Sequence, residues 1–131
     1  MKIIKETPSV VMTKELMEKM GESVLKIGRI LKYEGAGTVE FIVDKNLNYY
    51  FLEVNTRIQV EHPITEMITN TDLVFFQIQI AKGYSVFELG MHNIQRNGHA
   101  IEVRLYSEDP NNNFLPSIGR IHKIGNFLLL F

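Results

Sequence analysis

The chain has no cysteine among its 131 residues, which excludes a disulfide framework and any thiolate metal site. It also lacks a charge of one dominant sign: 14 Lys and Arg face 15 Asp and Glu, for a formal net charge of −1. That balance argues against nucleic-acid or membrane-surface binding, both of which call for a basic excess. Long hydrophobic runs are missing as well. "LVFF" and "FLLLF" fall far short of the roughly 20 apolar residues that span a bilayer. "MKIIKETPS" has lysines but no apolar centre of the kind a secretory leader needs. A cytoplasmic chain is expected, or an organellar-matrix one whose leader has been removed. No repeat or low-complexity segment occurs, and His92, His99 and His122 share no metal-ligand spacing.

What is present reads as one globular unit. Hydrophobic residues make up 45 % and charged residues 22 %, and the length suffices for a core. Thr13 is a candidate N-cap for a helix over about residues 14–32. Within it Leu16, Met20, Val24, Ile27 and Leu31 form one apolar stripe at helical spacing, which should face the core. "EGAG" then ends the helix, its glycines favouring a turn. "ITEMITN" and "TDLVFFQIQIAKG" read as helices, the second closing at Gly83, with the apolar face of Phe75 and Phe76 in the core. "YSVFELG" and "MHNIQRNG" read as connections. "HAIEVRLYSED" alternates as a strand, with Ile101, Val103 and Leu105 on one face and Glu102, Arg104 and Tyr106 on the other. "PNNNFLPSIG" is turn-rich, and "RIHKIGNFLLLF" reads as a last apolar strand.

Between the first helix and the helical pair lie two strand-like runs, "TVEFIVD" and "NYYFLEVN", joined by "KNL" or a residue more. So short a connection implies an antiparallel hairpin. With a two- or four-residue loop, Glu40 shares a face with Tyr49, Phe51, Glu53 and Asn55. With a three-residue loop it takes the opposite face. Extension past Asn55 would add Arg57, Gln59 and Glu61 to the polar side, leaving Val54, Ile58 and Val60 on the other. Pro63 disfavours helix at His62 and starts a new element.

The polar row permits specific chemistry. Two carboxylates and an amide, Glu40, Glu53 and Asn55, make an all-oxygen ligand set of the kind hard divalent ions accept. Arg57 offers a planar fork for carboxylate, phosphate or bicarbonate. Glu61, ionised at neutral pH, is a candidate general base. A half-exposed sheet bearing cross-strand Glu and Arg would show the same pattern with no chemistry at all. His62 is better read as making local hydrogen bonds than as a second base. Glu102 and Glu108 are candidates to pair with Arg104. "GAG" has no surrounding phosphate-loop motif.

The strings "YEGAGTVEFIVD", "YYFLEVNTRIQVEHPITEMITNTDLV", "GHAIEVRLYSEDP" and "FLPSIGRI" closely resemble, in order and spacing, the biotin carboxylase family. This is the ATP-grasp component of acetyl-CoA, propionyl-CoA and pyruvate carboxylases. The resemblance implies an α+β fold with packed helices on a largely antiparallel sheet. Residues 1–92 would be the last ATP-grasp subdomain, and residues 93–131 the start of the family's C-terminal domain. By the same resemblance Glu40, Glu53 and Asn55 match Mg2+ (or Mn2+) ligands, the two glutamates also lying beside the ATP phosphates. Arg57 matches the catalytic arginine that holds bicarbonate, with Gln59, the backbone of Val60 and Lys2 as further bicarbonate contacts. Glu61 matches the base, and Arg104 the arginine that stabilises the enolate of biotin. Two departures stand out: Lys5 replaces a usual acidic residue, and Ile118 replaces the second proline of "FLPSPG".

The activity implied is ATP- and Mg2+-dependent carboxylation of biotin by bicarbonate, through carboxyphosphate. Biotin would be borne by a carboxyl carrier protein or domain and passed to a carboxyltransferase; a homo-oligomer is possible on the same basis. In the family, a preceding domain, an ATP-binding lysine segment and a glycine-rich lid lie outside the part matched here. Turnover by this chain alone is therefore not expected. Two alternatives stay open on sequence: a non-catalytic stand-alone remnant acting as a binding or interaction module, and another ATP-grasp ligase.

Overall fold

In the computed structural model, residues 3–123 are described. The amphipathic stripe forms helix α1, Lys14–Leu31, and Thr13 caps it by accepting from the Leu16 N–H at 3.1 Å. The helix stops one step ahead of the glycines. Lys32 adopts a left-handed conformation (φ 49°) and its N–H turns back to the carbonyls of Gly28 and Arg29. Gly35, at φ 108°, serves the turn that follows.

Strand β1 is Ile4–Thr7, β2 is Thr38–Val43 and β3 is Tyr49–Asn55. Helices α2, His62–Thr69, and α3, Leu73–Ala81, come next, then β4 at Ala100–Val103. Two short strands, β5 at Glu108–Asp109 and β6 at Leu115–Pro116, follow, and single 3-10 turns lie at Met91–Asn93 and Pro110–Asn112. Every strand pair is antiparallel, as expected, but the pairs stay separate: β1 with β4, β2 with β3, and β5 with β6. His62 is itself the first residue of α2, with Pro63 in its first turn, where a missing N–H costs nothing. Asp72 caps α3 through the Phe75 N–H at 2.7 Å, and Gly83 (φ 97°) follows its end.

The core is thin. Among the described residues, the buried apolar side chains are Leu16 and Ile68, at 4 % and 6 % exposure. Met20, Val24 and Ile27 are half-buried as the stripe predicts, whereas Leu31 at its end is exposed. The expectation of a core face on α3 fails: Phe75 is exposed and Phe76 only half-buried, because little chain packs on that helix. A cavity of about 120 Å³ lies between α1 and the β2–β3 hairpin, lined by Val24, Ile27, Leu31, Val39 and Val54. Strand β4 is inverted relative to a soluble edge. Ile101 and Val103 point outward, and Glu102 is drawn in beside α2. The predicted last strand falls largely outside the described residues, and residues 120–123 carry no regular structure. No helix among the described residues is long and apolar enough to cross a membrane.

Candidate active site

The loop between β2 and β3 has three residues, Lys45 to Leu47, closed by the Asp44 N–H on the Asn48 carbonyl at 2.9 Å. Asp44 organises it by accepting from the backbone N–H groups of Asn46 (2.8 Å) and Asn48 (2.9 Å), while Leu47 takes the left-handed position (φ 63°). By strand parity alone, this loop would send Glu40 to the face opposite Glu53. A β-bulge reverses that. Phe41 pairs with Phe51, but Glu40 pairs with Glu53, so Leu52 is the extra residue.

The bulge therefore splits a row that sequence alternation treats as one. Tyr49 and Phe51 do not share the Glu40 face. They lie with Phe41, edge to face at centroid distances of 5.5 and 6.5 Å, and the Tyr49 hydroxyl reaches Ser23 of α1 at 3.0 Å. Glu40, Glu53 and Asn55 gather on the other side. The Asn55 Nδ2 donates to Glu40 Oε1 (3.2 Å) and to Glu53 Oε1 (2.9 Å). Gln59 Nε2 donates to the same Glu40 oxygen at 3.1 Å.

Past Asn55 the regular strand ends, yet Arg57, Gln59 and Glu61 still converge. All three line a cleft of about 510 Å³ with Glu40, Thr38 and Lys5. Glu40 thus belongs to both groups. The Arg57 Nη1 donates to the Ile58 carbonyl at 3.3 Å, and Val60 is exposed in the turn before α2. His62 does bond locally, its Nδ1 lying 2.8 Å from the Gln59 carbonyl, as expected. Lys2 lies outside the described residues.

Glu61 is held from both sides. Arg104, just past β4, places Nη2 at 2.7 Å from Oε2, while Lys5 of β1 pairs with Oε1. These are charge-assisted contacts with little solvent around them: the three side chains are 11 % (Glu61), 18 % (Lys5) and 27 % (Arg104) exposed. The expected pairing of Arg104 with Glu102 or Glu108 is not what forms; its partners are Glu61 and the Tyr106 hydroxyl at 3.3 Å. Glu102 Oε2 and Arg104 Nε are buried without a hydrogen-bond partner. Sequence reading missed Lys5 as a site residue. The available signal was its charge, where the resembling family carries an acid.

No group of three or more His, Cys, Asp or Glu side chains among the described residues is arranged to hold a metal ion. A divalent ion here would rest on two carboxylates and an amide. The residues fit that use. One amide N–H₂ already bridges both glutamates, which shows that the two carboxylates converge on a common point. Turning the amide would present Oδ1 and make the set all oxygen.

Residues 1–89 match the family described as "Carbamoyl-phosphate synthase L chain, ATP binding domain". Over 120 residues the chain is 52 % identical to biotin carboxylase 2 of Bacillus subtilis strain 168, covering 92 % of this chain and 27 % of that protein. The chain belongs to this ATP-binding family, among its biotin carboxylases. Mitochondrial methylcrotonoyl-CoA carboxylase subunit alpha of Mus musculus is also 52 % identical over 118 residues, covering 90 % of this chain and 16 % of that subunit. The fold agrees with biotin carboxylases of known structure. The biotin carboxylase domain dimer of Hydrogenobacter thermophilus 2-oxoglutarate carboxylase, in complex with MgADP, ADP and bicarbonate, superposes with a TM-score of 0.79 at 46 % identity. The match covers 96 % of this chain and 28 % of that one. The chain thus spans about a quarter of the Bacillus subtilis biotin carboxylase and a smaller share of the Mus musculus carboxylase subunit.

Proposed function

We propose that this chain forms the metal- and bicarbonate-handling wall of a biotin carboxylase, serving ATP-dependent carboxylation of biotin. The observation that carries the reading is the convergence on Glu40. One carboxylate joins the Glu53–Asn55 cluster to a cleft lined by Arg57, Gln59 and Glu61. Residues 1–92 act as the last ATP-grasp subdomain and residues 93–131 open the C-terminal domain.

In this reading Glu40, Glu53 and Asn55 hold Mg2+ or Mn2+, and the glutamates lie beside the ATP phosphates. Such an ion supplies charge neutralisation for the transferring phosphoryl group. Arg57 holds bicarbonate through its planar N–H fork, and Gln59, the Val60 N–H and Lys2 close around the anion. Glu61 takes the bicarbonate proton. Each of its oxygens accepts from one cation and keeps a second lone pair for that proton. The Arg104 guanidinium stabilises the oxyanion that develops on biotin's ureido ring. Biotin carries the carboxyl group onward on a carrier protein or domain, toward a carboxyltransferase.

Bicarbonate-dependent release of ADP from Mg-ATP tests this function, with Arg57→Ala as the control and circular dichroism to confirm folding of both. The isolated chain is expected to be silent, since the wall alone does not enclose ATP. Bicarbonate-dependent release that Arg57→Ala abolishes would extend the proposal to catalysis by the chain itself. Release that Arg57→Ala leaves unchanged would contradict the role given to the cleft.

A further inference from the structure

Gln59 makes a contact that its assignment to bicarbonate does not use. Its Nε2 donates to Glu40 Oε1 at 3.1 Å, the oxygen that also accepts from Asn55 at 3.2 Å. Gln59 is half-buried and lines the same cleft as Arg57 and Glu61. Glu40 stands in the ladder opposite Glu53, while Gln59 lies beyond the end of β3, where no strand pairing fixes it. The side-chain bond is thus a physical link between the cation-binding pair and the anion-binding wall.

We propose that Gln59 is a positioning residue for the divalent-cation site, and that it couples occupancy of that site to occupancy of the anion cleft. The inference rests on the reading of Glu40, Glu53 and Asn55 as cation ligands. The physical reason is a shared acceptor. Glu40 Oε1 accepts from two amide groups. When Asn55 turns to present its oxygen to a cation, its donation is lost, while the Gln59 amide goes on donating and helps to fix the orientation of the Glu40 carboxylate. Donors of this kind behind a ligand typically change metal affinity by about 10- to 100-fold. An anion gripped by Arg57 in the cleft holds the 57–61 segment in place, and with it the Gln59 amide. Bicarbonate should therefore tighten the cation, and by linkage the cation should tighten bicarbonate by the same factor.

The test is a Mg2+ titration of the full ¹⁵N-labelled chain, followed on its backbone and side-chain amide resonances with and without bicarbonate. Wild type, Gln59→Leu and Glu53→Gln are compared, with circular dichroism to confirm folding. Glu53→Gln should weaken Mg2+ binding strongly. Gln59→Leu, which keeps the side chain's size but not its donor, should weaken it about tenfold. The tightening of Mg2+ by bicarbonate seen in wild type should vanish in Gln59→Leu. If Glu53→Gln weakens Mg2+ binding but Gln59→Leu matches wild type with and without bicarbonate, the cation site stands and the role of Gln59 is overturned. If wild type shows no Mg2+ binding, or Glu53→Gln binds as well as wild type, the cation assignment falls and takes the coupling with it.

Discussion

The β2–β3 hairpin with α1, and the β1–β4 pair with α2, solve the same problem by different means. The hairpin is local. Its strands join through a three-residue loop, and aromatic rings and branched side chains fill the face toward α1. The second pair joins residues 4–7 to residues 100–103, a long-range closure that pays its entropy late. Its inward face is polar, and its apolar residues point out. What ties β1, the turn before α2 and β4 together is the Glu61 carboxylate with Lys5 and Arg104. The hairpin half is held by packing, whereas the other half adds a charged cluster to the buried Ile68 of α2.

This contrast can be broken at Glu61. Glu61→Ala removes the carboxylate that Lys5 and Arg104 share, a loss of about 3 kcal/mol by analogy with other disrupted, largely buried pairs. Amide hydrogen exchange should show β1 and β4 losing protection while β2 and β3 keep theirs. Equal loss in both pairs would mean that the two regions are one cooperative unit. The reverse experiment is Phe41→Ala, which removes both edge-to-face contacts at a half-buried position and should cost about 2 kcal/mol. Here β2 and β3 should lose protection first.

Much of this was legible in the sequence, and the exceptions have physical causes. Thr13, the stripe from Leu16 to Ile27, the antiparallel hairpin and Gly83 after α3 follow from local capping and periodicity. The face of Glu40 did not. Loop length sets parity only in a regular ladder, and the extra residue at Leu52 undoes the three-residue loop. For Tyr49 and Phe51 the parity of a three-residue loop holds, and both face away from Glu40. A core on α3 is not legible in this way, because periodicity says which face is apolar and not what covers it. Arg104 is singled out by its motif, but its partner Glu61 lies 43 positions away and only the fold brings them together.

Two smaller effects sharpen the picture of the packed half. Thr13→Ala removes the side-chain acceptor for the Leu16 N–H and should cost about 1 kcal/mol, read as lost helical circular dichroism on thermal unfolding. In the hairpin loop, hydrogen bonds from the Asn48 side chain, and then from the Asn48 backbone, hold the Asp44 carboxyl below its ordinary value; the Asn46 backbone and the Tyr50 hydroxyl assist. The sign follows from that direction. The contribution of Asp44 to the loop is complete above the ordinary Asp range near 4, and is lost as pH falls below it through the lowered folded value. The amide shifts of Asn46 and Asn48 should change over that acid range in wild type. They should stay flat in Asp44→Asn, and a loop transition that persists there would assign it to another group.

The most direct measurement is binding of ¹³C-labelled bicarbonate to the purified chain in the presence of Mg2+, followed by the line width of the bicarbonate resonance. The account predicts broadening by wild type and little or none by a folded Arg57→Ala. Equal broadening by both chains, or none by a folded wild type, would contradict the assignment of this cleft as the bicarbonate wall of a biotin carboxylase.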